Sequence, residues 1–383
     1  LSKVAIREEV LRWAIDRSGR TLEDLHIRFP KIYEWATGES RPTLKQLESL
    51  ARATRTPFGY FFLHNPPDER LPIPHFRSVY ADPTYKSSPD LIETVHIMQR
   101  RQAWMREFLI EQEVGRLTLV RSASMHENVS LVANRMRQAL GFDIDWASAY
   151  RTWTEALTAL REAIEASGII VVVNGIVGNN THRKLDVEEF RGFVLVDDFA
   201  PLVFVNGADG KAAQMFTLAH ELAHVFFGSS AAFDLRRMQP AEDATEKACN
   251  AVAAEFLVPE ESLRQIWPSV NQSQTRFPEI ARHFKISEIV AARRLLDLRL
   301  ISRDAFFKFY QEYMDEVRKK SPSSGGGDFY ATQNLRLGKR FAEAVVQATR
   351  EGTLLFSDAY RMTGLHGKTF DQFAERLGYG AAH

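Results

Sequence analysis

The chain has 383 residues, 45% hydrophobic and 26% charged, a length that suits two or three domains, and 11% aromatic content excludes a largely disordered chain. Its 49 Lys+Arg balance 49 Asp+Glu, which excludes polyanion binding by bulk electrostatics, and its single cysteine, Cys249, excludes an internal disulfide. No apolar run approaches the ~18 residues of a bilayer span. The opening residues, broken by Lys3, Arg7, Glu8, Glu9 and Arg12, do not read as a secretory signal, so no membrane partner and a cytoplasmic location are expected.

In chain order, residues 1–63 predict short helices. The first covers Lys3–Arg17 and ends at Ser18-Gly19. Thr21 caps a second, a third carries Lys31 to Ala36, and Leu44, Leu47, Leu50 and Ala51 repeat at helical spacing in a fourth. Residues 64–145 form a second segment. It opens with prolines 66, 67, 72, 74, 83 and 89, a density that favours extended connecting chain. From about Asp90 to Gly141 the pattern is helical, with no evident chemistry.

The pattern changes in residues 146–300. A helix through Ala166 precedes three candidate strands, Ile169–Val173, Phe193–Val196 and Leu202–Val205. A long helix over Lys211–Phe227 should stop at Gly228, and another over Glu242–Val258 should stop at Pro259. The expected class is therefore α+β. The last segment, 301–383, is helical around the flexible linker Ser321–Gly327.

His220-Glu221-Leu222-Ala223-His224 lies within the long helix. Residues four apart differ by about 40° around the axis and about 6 Å along it, so both imidazoles can reach one ion at the ~2.0–2.1 Å that zinc requires. Glu221 lies about 100° away from His220. That leaves it beside an open coordination position, where it can take a proton from water as general base. Chance would supply such a pentapeptide about 0.02 times in this composition. A third ligand must come from a second element. Asp234, Glu242, Asp243, Glu246 and Glu255 all lie downstream, and Glu246, inside the next helix, is the choice. Asn250, one turn on, could hold the far nitrogen of a ligand histidine. Cys249 reads as a buried small hydrophobe. His182, in the loop Asn174–Leu185, reads as a plain loop residue, with a role in polarising a carbonyl as the alternative.

Phe216 to His224 and Glu246 to Pro259, with Glu189-Phe190-Arg191-Gly192-Phe193 and Pro201 to Asn206, resemble the ImmA/IrrE family of zinc metallopeptidases over about residues 150–300. The resemblance implies a zincin-like (gluzincin) core, in which a small sheet accompanies the HExxH helix. It also implies Zn2+ as cofactor, His220, His224 and Glu246 as ligands, and Glu221 as general base. Family members cleave repressor-type regulators and so relieve transcriptional repression. The implied partner is a regulatory protein, either a repressor or a component of a toxin–antitoxin pair.

Residues 1–63 resemble the repressor-type helix-turn-helix often fused to this family, on Trp35 to Glu39, Arg41 to Ala51 and Pro57 to Phe62. The third helix is short for reading a major groove, and residues 1–60 carry 11 basic against 8 acidic side chains, a weak phosphate footprint. DNA binding and a degenerate module used for homodimer or protein contact both remain open. A second helix-turn-helix-like pattern, Ile280–Leu295, lies in a stretch, 276–303, with 7 basic and 3 acidic residues. It reads first as core-packing helices with a solvated basic face. The tail from Asp328 resembles that of long family members encoded beside toxins. The expected function is a zinc-dependent endopeptidase and regulator. The alternative is an antitoxin or DNA-binding transcription regulator whose zinc site is structural or dormant.

Overall fold

A computed structural model describes residues 3–69, 87–229, 231–233, 244–319 and 329–379. The described residues fall into two compact units, one holding residues 3–69 and 87–96 and the other residues 97 onward.

The first unit contains α1 (Glu8–Arg17), α2 (Leu22–His26), α3 (Ile32–Ala36) and α4 (Leu44–Ala53), followed by a 3-10 turn at Phe58–Phe62. Leu11, Leu25, Ile32, Trp35, Leu47, Leu50 and Phe61 form its core. Thr21 with Asp24 and Thr43 with Gln46 make reciprocal capping boxes, which fix the starts of α2 and α4. The first helix starts later than its sequence pattern suggests. Val4 instead donates its amide to the Pro42 carbonyl at 2.8 Å, and Lys3 bridges Thr43, so the leading residues are extended.

Helix α5 (Pro89–Glu111) opens the connection to the second unit, where α6 (Val129–Ala139) and α7 (Trp153–Ala166) follow. The helical pattern expected between Asp90 and Gly141 is thus broken across residues 112–128. There the Arg121 and Ala123 amides donate to Val225 and Phe226 carbonyls, at 3.1 and 3.0 Å, rather than to a helix of their own. The prolines at 72, 74 and 83 and the linker Ser321–Gly327 lie outside the described residues.

The strands are β1 (Ile170–Asn174), β2 (Ile176–Val177), β3 (Asn180–Lys184), β4 (Gly192–Leu195), β5 (Leu202–Asn206) and, after α8 (Lys211–Phe227), β6 (Ala231–Phe233). One mixed sheet has the order β1-β5-β4-β6, in which β1 and β5 are parallel and the other pairs antiparallel. The segment expected as a loop around His182 is the β2–β3 hairpin. Val171, Val194, Val203 and Val205 belong to the core shared with α8, while Phe193 and Phe204 stack on each other at 4.9 Å. Alternation along the strands assigns these two sets to opposite faces, which is why β4 and β5 are apolar throughout.

Helix α8 is buried at every position from Gln214 to Phe226, as expected of a helix apolar on all sides. It packs against the sheet, against α7 and against α9 (Ala244–Leu257). Helices α10 (Glu260–Val270), α11 (Arg276–Phe284), α12 (Glu288–Asp297) and α13 (Arg303–Lys319) continue the chain. The α11–α12 pair buries Phe277, Ile280, Phe284, Ala291 and Leu295 in the main core, and Ser287 caps α12 through the Val290 amide. Finally α14 (Phe329–Leu337), α15 (Lys339–Arg350), α16 (Phe356–Thr363) and α17 (Lys368–Arg376) form the C-terminal helices. The fold is a mixed α+β one, mostly helical with a small sheet. Among the described residues no helix is long and apolar enough to cross a membrane.

Candidate metal centre

The spacing of His220 and His224 places both imidazoles on one ridge of α8. Their Nε2 atoms lie 3.1 Å apart. Helix α9 packs against that ridge and brings in Glu246 from its first turn. One carboxylate oxygen stands 3.2 Å from His220 Nε2 and the other 3.2 Å from His224 Nε2, so Glu246 straddles the pair. Ligand atoms of a tetrahedral zinc site with bonds of about 2.0–2.1 Å are themselves about 3.3–3.4 Å apart. The three donors therefore fit one small divalent ion. They are the only group of three or more His, Cys, Asp or Glu side chains among the described residues arranged to hold one.

Their electrostatics agree with that fit. Burial pulls the His220 imidazole down to about 4, although hydrogen bonding to Glu246 opposes the shift, so the ring is neutral at pH 7 with a lone pair to offer. Burial pushes the Glu246 carboxyl up, but hydrogen bonds and charge from His220 and His224 outweigh it and hold the group below the usual carboxylate range. Two imidazoles and one carboxylate are a donor set of hydrolytic zinc sites. One outer contact holds a ring. His224 Nδ1 lies 2.9 Å from Ser229 Oγ, and Asn250 is a neighbour of the His220 ring.

Glu221 is fully buried, and neither of its oxygens has a hydrogen-bond partner among the described residues. Burial and the nearby Glu246 charge push its carboxyl well above the ordinary carboxylate value. Space for it is left by Gly192 of β4. A Cβ there would meet Thr217 Cγ2 at 2.5 Å and the Phe204 carbonyl at 2.8 Å, and would stand 3.3 Å from Glu221 Oε1. Such a carboxyl takes up a proton more readily than an exposed one, the property a general base needs.

Other residues singled out in the sequence go elsewhere. Glu255 is buried in an ion pair with Arg294, Cys249 is packed in the main core, and His182 is exposed on β3. Asp234, Glu242 and Asp243 lie outside the described residues. Sequence reasoning missed Ser229 and gave no role to Gly192. A signal for Ser229 existed, because a glycine that ends a helix at 228 turns the next side chain back over the last turn.

No curated protein matches the chain. Residues 337–376 match a domain of unknown function, DUF8813. Residues 165–296, about a third of the chain and the part that holds the three converging side chains and Glu221, match the IrrE N-terminal-like domain of the Peptidase M78 family.

Proposed function

We propose that the protein is a zinc-dependent endopeptidase with a zincin-like core, that His220, His224 and Glu246 hold the metal, and that Glu221 is its general base. An ion bound there supplies Lewis acidity, which lowers the pKa of water and polarises a peptide carbonyl. Glu221 takes the proton of the attacking water on a carboxylate oxygen and passes it to the departing amide nitrogen. Asn250 keeps the His220 ring oriented from outside. The observation that carries this function is the partnerless, fully buried carboxyl of Glu221 beside a His–His–Glu group. A structural metal site has no use for such a group, which destabilises the fold. The matched peptidase domain supports the same reaction class.

The substrate proposed is a regulatory protein, a repressor or a toxin–antitoxin component, cleaved in the cytoplasm so that transcription changes. Residues 1–63 would recognise that partner, a second copy or DNA through a helix-turn-helix-like module. Its α3 has only five residues, and Lys31 pairs with Glu34 at 3.6 Å, which favours protein contact over groove reading.

The test measures bound zinc and cleavage of co-expressed regulatory proteins in the parent, Glu221→Gln and His224→Ala. Glu221→Gln should keep zinc and lose cleavage by 10²-fold or more, as expected for a general base. His224→Ala should lose both. Cleavage that survives in Glu221→Gln would remove this mechanism. Regulation that survives both changes would leave a binding protein with a dormant site.

A further inference from the structure

Helix α8 ends in a way that reaches into the centre it carries. Gly228 has φ 76° and ψ 27°, the left-handed conformation that closes a helix. Its amide donates to the carbonyls of His224 at 2.8 Å and Val225 at 3.1 Å, and the Ser229 amide donates to His224 at 3.0 Å. This closure folds residue 229 back over the last turn. There the Ser229 hydroxyl meets Nδ1 of the buried His224 ring at 2.9 Å.

Resting on the metal reading above, we infer that Ser229 is a positioning residue that orients the ligand His224 and accepts a hydrogen bond from its Nδ1–H when Nε2 ligates an ion. A neutral imidazole carries its proton on one nitrogen only. Nε2 of His224 points at His220 and Glu246, so it offers a lone pair to an ion only when the proton sits on Nδ1. The serine hydroxyl oxygen can accept a hydrogen bond from that Nδ1–H, which keeps the proton on Nδ1 and fixes the ring plane at the same time. The His224 ring is thus held by the C-terminal cap of its own helix. Glu246 alone cannot do this work, because it contacts both rings on their metal-facing side.

Full-length protein stripped with a chelator is titrated with zinc for the parent, Ser229→Thr and Ser229→Val. The last two have nearly the same shape and differ in the hydroxyl. Threonine should keep the parental affinity within about threefold, and valine should weaken it by about 10–100-fold, the usual effect of losing an outer partner of a ligand histidine. The metal-free valine variant should melt somewhat below the threonine one, because it leaves a buried ring nitrogen unpartnered, so zinc is titrated at a temperature where both are folded. In nitrogen-15 spectra of zinc-loaded protein the His224 Nδ1 proton should persist in threonine and exchange away in valine. Equal zinc affinity and equal ring spectra in the two variants would overturn the role. A parent that binds no zinc would instead sink the metal centre itself, a different result from a parent that binds zinc with equal affinity in both variants.

Discussion

Glu221 burdens the fold in proportion to its usefulness. Its pKa lies above that of the unfolded chain, so its contribution to stability is fully present below about pH 4.5 and is lost as pH rises through the folded value. Zinc-free Glu221→Gln should therefore gain stability over the parent as pH rises from 4 to 8, by about 1.4 kcal/mol for each pH unit over which only the unfolded carboxyl ionises. The difference should shrink toward pH 4–5, where the parental carboxyl is protonated. Urea unfolding at the two pH values checks this, and a gap independent of pH would show that Glu221 does not titrate as a buried acid. Its neighbour Gly192 makes a separate prediction. Gly192→Ala forces a methyl against Thr217 and the Phe204 carbonyl, so it should cost about 1–3 kcal/mol by overpacking. Because the same methyl crowds Glu221, cleavage should fall more than zinc affinity does. The sequence marked Gly192 only as part of a resemblance; its reason is a strand–helix approach that no local pattern records.

Helix α9 presents Glu246 at one end and is anchored at the other. Arg137 Nη1 donates to the carbonyls of Glu255 and Phe256 at 3.0 and 3.3 Å, and Arg294 Nε donates to Val258 at 3.0 Å, so two arginines satisfy carbonyls left free where the helix ends. Arg294 also pairs with the Glu255 carboxylate, which further accepts from Ser130 Oγ at 3.2 Å. Removing one partner of this buried pair by Arg294→Ala should cost about 3–5 kcal/mol, whereas the apolar double change Glu255→Leu with Arg294→Met should cost far less. Equilibrium urea unfolding of the two variants decides it, and equal losses would mean that the ion pair is not what holds α9. Glu255 is one of the acids downstream of the histidine pair in sequence; its partner lies 39 residues on, beyond any periodicity. The same limit explains the other misses. The bounds of α8 were legible because a long apolar helix with a glycine stop is a local signal. The β2–β3 hairpin and the three-residue β6 are too short to show a period, and within residues 112–128 the Arg121 and Ala123 amides are drawn to α8, about a hundred residues downstream.

The second unit is larger than the matched peptidase domain, because β1 is an edge strand and needs a cover. The C-terminal helices provide it. α14 and α15 pack along β1, and Trp104 of α5 meets Phe341 edge-on at 5.6 Å. Arg101 Nη1 donates to the Arg336 carbonyl at 2.8 Å. Asn179 Nδ2, in the turn of the β2–β3 hairpin, donates to the Thr363 carbonyl at 3.2 Å. Glu165 of α7 accepts the Lys339 amide at 2.7 Å and so caps α15 from another element. Burial pushes the Glu165 carboxyl up, while Arg161 and the α15 amides draw it back. Residues matched by two different domain descriptions, 165–296 and 337–376, are thus joined by hydrogen bonds from Glu165 and Asn179. A chain ended after residue 319 should expose the β1 edge and the apolar surface around Trp104. It should then self-associate in light scattering and unfold at a lower urea midpoint than the full chain. Glu165→Ala, which removes only the cap, should cost about 1 kcal/mol and leave the protein in its parental assembly state. A shortened chain with parental assembly state and midpoint would mean that the C-terminal helices rest on β1 without stabilising it. The peptidase-like unit would then end near residue 319.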